Sequence, residues 1–192
     1  MRLVLATRNA HKAQELDALL APHAVVPLPA EVVLPPETGT TFAANALEKA
    51  RAGAAALGTA VIGDDSGIES DALGGAPGVR SARFAGEDAT DEENLAKLLR
   101  EAPDGSGLTY VCAIALVDPA AGTEEVFEAR CTGRLTHAPR GTGGFGYDPA
   151  FVPDDVTGPE RTMAELTPDE KAAISHRGRA ARLLLAHLTT DP

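Results

Sequence analysis

Tryptophan is absent, cysteine occurs twice, and five Phe and two Tyr supply all the large aromatic rings of a 192-residue chain. Its core must be built mainly from Ala, Val and Leu, and each Phe or Tyr is a scarce stacking surface. Two cysteines make no secreted disulfide framework, so Cys112 and Cys131, on segments that read as paired strands, are expected to be buried free thiols. Positive charge is also short, at 17 Lys and Arg against 28 Asp and Glu, a net charge of -11. That balance repels a phosphate backbone and excludes a general nucleic-acid binder. No apolar run approaches membrane length, and Arg2–Ala6 is too short for a signal-peptide core. A cytoplasmic chain with no membrane partner and no stable nucleic-acid partner is the expectation. No Walker loop, no H-E-x-x-H, no C-x-x-C and no G-x-S-x-G elbow occurs, which disfavours P-loop ATPases, zincins and ordinary α/β-hydrolases.

What is present reads as one domain over residues 1–192, or two lobes sharing one core. A strand over 2–6 runs into Thr7 and Asn9, both good caps, and then a helix with Leu16, Leu19 and Leu20 at helical spacing. A second strand is expected over 24–28, followed by a Pro-rich loop and a long Ala-rich helix from Thr41 to about Gly58. Short strands over 60–62 and 68–73 flank an acidic turn. Thr90 with Glu93 marks a capped helix that stops before Pro103. Segments 108–117 and 125–136 read as a hairpin. Thr167-Pro168-Asp169-Glu170 starts a C-terminal helical region, with Gly178 as its expected interruption.

Four stretches carry the chemistry. Thr7-Arg8-Asn9-Ala10-His11-Lys12 joins a strand to a helix start whose free amides favour an anion, although the same residues serve as an ordinary cap. Gly63-Asp64-Asp65-Ser66-Gly67 presents adjacent carboxylates, which suit a hard cation such as Mg²⁺ and equally suit a plain turn. Glu37 is a possible further ligand from the Pro-rich loop. Residues 139–149 formally contain G-x-G-x-x-G at Gly141, Gly143 and Gly146, but Pro149 forbids the helix that a dinucleotide fingerprint must open. Glycines around Phe145 and Tyr147 instead suit close approach to a flat ligand. Lys171, Ser175, His176 and Arg177 form a basic cluster in an acidic chain, a pattern that a helix C-terminus also explains.

Taken in order, these stretches resemble the inosine/xanthosine triphosphate pyrophosphatase (RdgB-like, dITP/XTP pyrophosphatase) family. Glu37-Thr38-Gly39, Gly74-Gly75-Ala76-Pro77-Gly78 and Ser81-Ala82-Arg83 add to the match, which spans nearly the whole chain. The resemblance implies an α/β fold: an elongated mixed β-sheet flanked by helices, with two lobes around a central nucleotide-binding cleft. It implies a Mg²⁺-dependent homodimer that hydrolyses ITP, dITP and XTP to monophosphate and pyrophosphate. It further implies Asp65 as proton acceptor and metal ligand, with Glu37 as second ligand. Thr7, Arg8, Asn9, Lys12 and Ser66 correspond to triphosphate contacts, Arg8 standing where family members often carry Gly. Phe145, Gly146, Tyr147, Asp148, Lys171, His176 and Arg177 correspond to the nucleoside side. Competing readings are a Maf-like nucleotide pyrophosphatase, a non-catalytic nucleotide-binding protein and, more distantly, a serine hydrolase using Ser66 and His176.

Overall fold

The computed structural model describes Arg2–Thr190, the side chain of Thr190 excepted. Its strands are β1 (Arg2–Ala6), β2 (Ala24–Pro27), β3 (Val61–Ser70), β4 (Gly107–Asp118), β5 (Thr123–Leu135) and β6 (Phe151–Pro153). Its α-helices are α1 (Ala10–Leu19), α2 (Phe42–Leu57), α3 (Asp91–Glu101), α4 (Pro168–Ile174) and α5 (His176–Thr190). The strands form one six-stranded sheet in the order β2-β1-β3-β4-β5-β6. The sheet is mixed: β1 runs parallel to both β2 and β3, whereas β5 and β6 are antiparallel. The expected α/β architecture, a mixed sheet with flanking helices, is what forms.

The chain divides into two compact units. The first comprises 2–65, 112–129 and 177–190, the second 66–111 and 130–176. In the first, strand alternation sends successive β3 side chains to opposite faces. Ile62 packs with Leu16, Leu20, Ala180, Ala181 and Leu184 from α1 and α5. Val61 and Gly63 face α2, and a Cβ on Gly63 would lie 2.1 Å from the Ala46 carbonyl oxygen. Helix α2 offers this face a stripe of Phe42, Ala46, Ala50 and Ala54, all buried, so small residues on both sides let helix and strand come close. Thr41 caps α2 by accepting from the Ala44 amide at 3.1 Å, and Gly58 ends it in the left-handed conformation that glycine takes without a Cβ penalty.

The second unit has its own core, in which Ile68, Leu98, Leu108, Tyr110, Tyr147, Phe151 and Met163 are buried together. Thr90 and Glu93 form the expected capping box of α3, and Thr167 and Glu170 that of α4. Cys112 and Cys131 are buried free thiols, as expected.

Two local expectations are corrected, and one strand is added to those expected. Residues 64–67 are not a turn: β3 runs unbroken through Asp64, Asp65, Ser66 and Gly67 and ends at Ser70, with a 3-10 turn over Asp71–Leu73. Turn-type composition yields here to strand pairing, because each buried carboxylate meets a cation or hydrogen-bond donor. The C-terminal helices separate at Ser175, whose ψ is 154°, and Gly178 lies inside α5. Strand β6, which ends on Pro153 at the edge of the sheet, was not foreseen; an edge strand tolerates such a proline.

Candidate active site

On the first unit, alternation along β3 gives its two acidic neighbours different surroundings. Asp64 faces α1 and α5. Lys12 Nζ lies 2.7 Å from Asp64 Oδ1, Arg177 Nε 3.6 Å from Oδ2, and the Cys112 thiol donates to Oδ2 at 3.3 Å. Asp64 and the Arg177 side chain are almost wholly buried. Burial alone would raise the Asp64 pKa, but Lys12, Arg177 and Lys49 outweigh it and hold this carboxyl far below the usual carboxylate range. Next to that charge, burial and Asp64 together push the Cys112 thiol well up, so it remains a protonated donor.

Asp65 faces α2. Asn45 Nδ2 donates to its Oδ2 at 2.9 Å, and Lys49 Nζ lies 3.4 Å from its Oδ1. The same ammonium donates to Glu37 Oε1 at 2.8 Å. Here burial is the largest influence and Glu37 adds to it, so the Asp65 pKa ends up raised despite the opposing pull of Lys49, Lys12 and Asn45. Adjacent carboxyls pushed in opposite directions are the arrangement in which one stays a fixed anion and the other trades protons.

Sequence reasoning missed Asn45 and Lys49. Their signal was legible in principle: an Asn and a Lys at i, i+4 in a helix otherwise rich in Ala, on positions flanking its apolar stripe. It also passed over Asp64 and Cys112 as working partners.

At the start of α1, Thr7 Oγ1 accepts from the Asn9 amide at 3.2 Å and Asn9 Oδ1 from the Lys12 amide at 3.1 Å. The cap and the lysine thus come from one short stretch. Arg8 is turned elsewhere: it donates to the carbonyls of Leu28 at 3.0 Å, Pro29 at 3.1 Å, Ala30 at 3.4 Å and Val32 at 2.5 Å. Its guanidinium is a clamp on the loop after β2.

The second unit gathers the aromatic and basic groups. Asp148, buried, accepts from Tyr110 Oη at 2.9 Å, from Lys171 Nζ at 2.8 Å and from the Phe145 amide at 3.0 Å. Lys171 Nζ also stands 5.3 Å from the Phe145 ring centroid, within cation–π range. His176 stacks on Tyr110 with centroids 4.5 Å apart and planes 4° from parallel. The Gly146 amide donates to Asp91 Oδ2 at 2.9 Å, and Tyr147 Oη donates to the Ser81 carbonyl at 2.7 Å. Tyr110 and Asp91 were not foreseen. The glycines of this loop serve packing: Cβ atoms on Gly141 and Gly143 would meet the Ala164 carbonyl oxygen at 2.5 and 2.9 Å, and one on Gly144 the Asp148 carboxylate at 2.0 Å.

Arg177, expected among these nucleoside-side groups, belongs to the first unit by its contacts. Its Nη1 donates to Glu15 Oε2 at 2.5 Å beside its approach to Asp64. Ser66 is half-buried, on the residue following Asp65 in β3.

The family model of the Ham1 family matches residues 3–187. The chain belongs to the Ham1 family. It is 51% identical to the dITP/XTP pyrophosphatase of Streptomyces coelicolor, with 96% of this chain and 95% of that protein covered. Against the dITP/XTP pyrophosphatase of Geobacillus kaustophilus it is 49% identical, covering 93% and 89%. The Ham1 protein of Staphylococcus aureus superposes with a TM-score of 0.86 at 36% identity, over the full length of both chains. The α/β fold of this Ham1 member is thereby that of its solved relatives.

Proposed function

We propose that this Ham1 member is a nucleoside triphosphate pyrophosphatase that hydrolyses deaminated purine nucleotides, ITP, dITP and XTP, to the monophosphate and pyrophosphate. The observation that carries the chemistry is Asp65. It is a buried carboxylate with a raised pKa, in a strand that also holds Asp64, whose carboxyl is kept far below the usual range, and beside two lysines. In this reading Asp65 accepts the proton of the attacking water, and Lys12 and Lys49 offset the charge of the triphosphate. Thr7, Asn9 and Ser66 contact the phosphates, and Asp64 with Arg177 positions Lys12. Water attacks the α-phosphorus and pyrophosphate leaves.

Glu37 and Asp65 suit Mg²⁺, because both already share a single cation, the Lys49 ammonium. Among the described residues no group of three or more His, Cys, Asp and Glu side chains is arranged to hold a metal. Mg²⁺ commonly takes one or two carboxylates and fills its sphere with water and substrate phosphates. When bound it would supply Lewis-acid stabilisation of the phosphoryl charge.

For the nucleoside end, Phe145 is the proposed stacking face, with Lys171 and Asp148 setting its surroundings. His176 is the donor proposed to read the 6-oxo group. An amino group there would leave such a donor unpaired at about 1 to 3 kcal/mol, roughly tenfold to a hundredfold in affinity, so rejection of ATP takes two or more such contacts. The active form is proposed to be a cytoplasmic homodimer, which light scattering on the purified protein tests.

The deciding assay offers ITP, XTP, GTP and ATP with Mg²⁺ and measures pyrophosphate and orthophosphate separately. Pyrophosphate from ITP and XTP, with ATP and GTP poorly used, is the expected result. Orthophosphate as first product, or equal use of ATP, defeats the reading.

A further inference from the structure

The pair of carboxylates assigned to the metal is already occupied by a cation of the protein's own. Lys49 Nζ stands 2.8 Å from Glu37 Oε1 and 3.4 Å from Asp65 Oδ1, and its side chain is only 7% exposed. Three features make this more than a passing ion pair. Lys49 leaves the buried side of α2 one turn after Asn45, which holds the other oxygen of Asp65 at 2.9 Å. Asn45 Oδ1 also accepts from the Gly39 amide at 2.8 Å, and so anchors the loop that carries Glu37. A Cβ on Gly39 would lie 2.6 Å from that oxygen, so the loop sits hard against Asn45. The carboxylates, the amide and the ammonium thus form one preset constellation. With no third His, Cys, Asp or Glu ligand arranged around it among the described residues, a divalent ion arriving alone would face an ammonium at its own position and an incomplete set of ligands.

We propose that Lys49 is the resident counter-cation of the Glu37–Asp65 pair, so that the free protein takes up divalent metal poorly and acquires it together with the nucleotide. This rests on the pyrophosphatase reading. The incoming triphosphate provides both things the free site lacks: oxygen ligands for the metal, and an alternative anion for the Lys49 ammonium. Exchange of one cation for another at Asp65 keeps the carboxylate compensated throughout. It also keeps Asp65 paired with Lys49 until a substrate is present. Lys49 is therefore a positioning residue in the resting protein and a phosphate partner in the complex.

The test uses Mn²⁺ as probe, following its paramagnetic resonance signal in the presence of full-length protein, with and without an α,β-methylene analogue of ITP. The parent protein is expected to bind Mn²⁺ at least about tenfold more tightly with the analogue than without, and by linkage to bind the analogue more tightly in the same proportion with Mn²⁺. Lys49→Gln, which removes the ammonium, should gain at least about tenfold in analogue-free Mn²⁺ affinity, whereas Lys49→Arg should not. A parent protein that binds Mn²⁺ alone as tightly as Lys49→Gln overturns the assignment. Should Lys49→Gln fail to fold, ¹³Cε-lysine spectra of the parent decide. The Lys49 resonance should stay in place with Mg²⁺ alone and move with Mg²⁺ plus analogue; movement with Mg²⁺ alone overturns the proposal. Pyrophosphate release from ITP by a protein that fails these tests leaves the proposed function standing. Failure to release pyrophosphate from any nucleotide removes that function instead.

Discussion

Asp64 and Asp65 are consecutive residues of β3 whose carboxylates point to opposite faces of the strand, one held by Lys12 and approached by Arg177, the other held by Asn45 and approached by Lys49. This follows from the two-residue period of a strand and from what each face packs against. Had the segment been the expected turn, the two carboxylates would not have been divided between faces in this way.

Asp65→Asn should separate chemistry from folding. The amide keeps the shape and one acceptor but cannot take a proton. The rate of pyrophosphate release from ITP should fall by about 10² to 10⁴, the usual worth of a positioned proton acceptor. The melting temperature should move by only a few degrees, and a rate within threefold of the parent would remove Asp65 from its role.

Acid should remove the stability that Asp64 contributes. Its folded-state pKa is depressed relative to an unfolded Asp near about 3.9, so the unfolded chain binds the extra proton first as pH falls. The stability Asp64 contributes is present above about pH 4 and is lost progressively as pH drops towards its folded value. Urea denaturation of the parent and of Asp64→Asn should show a gap that is largest near neutrality and narrows below about pH 4. A gap independent of pH would contradict the ion-pair account.

Gly63→Ala should be among the costliest single-methyl changes in the chain. The added Cβ would meet the Ala46 carbonyl oxygen at 2.1 Å and the Ala50 amide nitrogen at 2.9 Å, both backbone atoms that cannot swing aside. Overpacking of this kind costs about 1 to 3 kcal/mol. Because α2 must retreat from β3, taking Asn45 and Lys49 from Asp65, activity should fall along with stability. Denaturation midpoints and ITP turnover on the same preparation check both.

Arg177→Met should reveal a structural cation. Removing one member of a buried charge cluster leaves Asp64 and Glu15 undercompensated, a loss of about 3 to 5 kcal/mol where a buried pair is broken. The expected signature is lower stability and weaker triphosphate binding through Lys12, with the preference for ITP over ATP retained in whatever activity remains. Loss of that preference with unchanged stability would return Arg177 to the nucleoside side.

Much of the fold was legible because its signals are local. Thr41 and Gly58 bracket α2, Thr90 with Glu93 and Thr167 with Glu170 open α3 and α4, and each behaves in the structure as its chemistry requires. The acidic segment was misread because Asp, Ser and Gly prefer turns when nothing else decides. Here strand pairing and buried partners distant in sequence decide. Lys49 was invisible for a related reason: only the fold brings α2 against β3, and only then does an ordinary helical lysine become the bridge between Glu37 and Asp65. Arg177 illustrates the limit of reasoning by cluster. It neighbours His176 in sequence, yet its side chain answers to Asp64 and Glu15.

The Arg8 clamp has a consequence for how this chain can drift. The loop that follows β2 is held at Leu28, Pro29, Ala30 and Val32 through main-chain oxygens, which every residue type possesses. Side chains along that segment are therefore interchangeable as far as the clamp is concerned, while the single arginine is not. Tolerance and constraint are separated by about twenty residues: exposed positions of the loop such as Glu31 and Val33 can change side chain without loosening the clamp, whereas replacing Arg8 releases all four carbonyls at once.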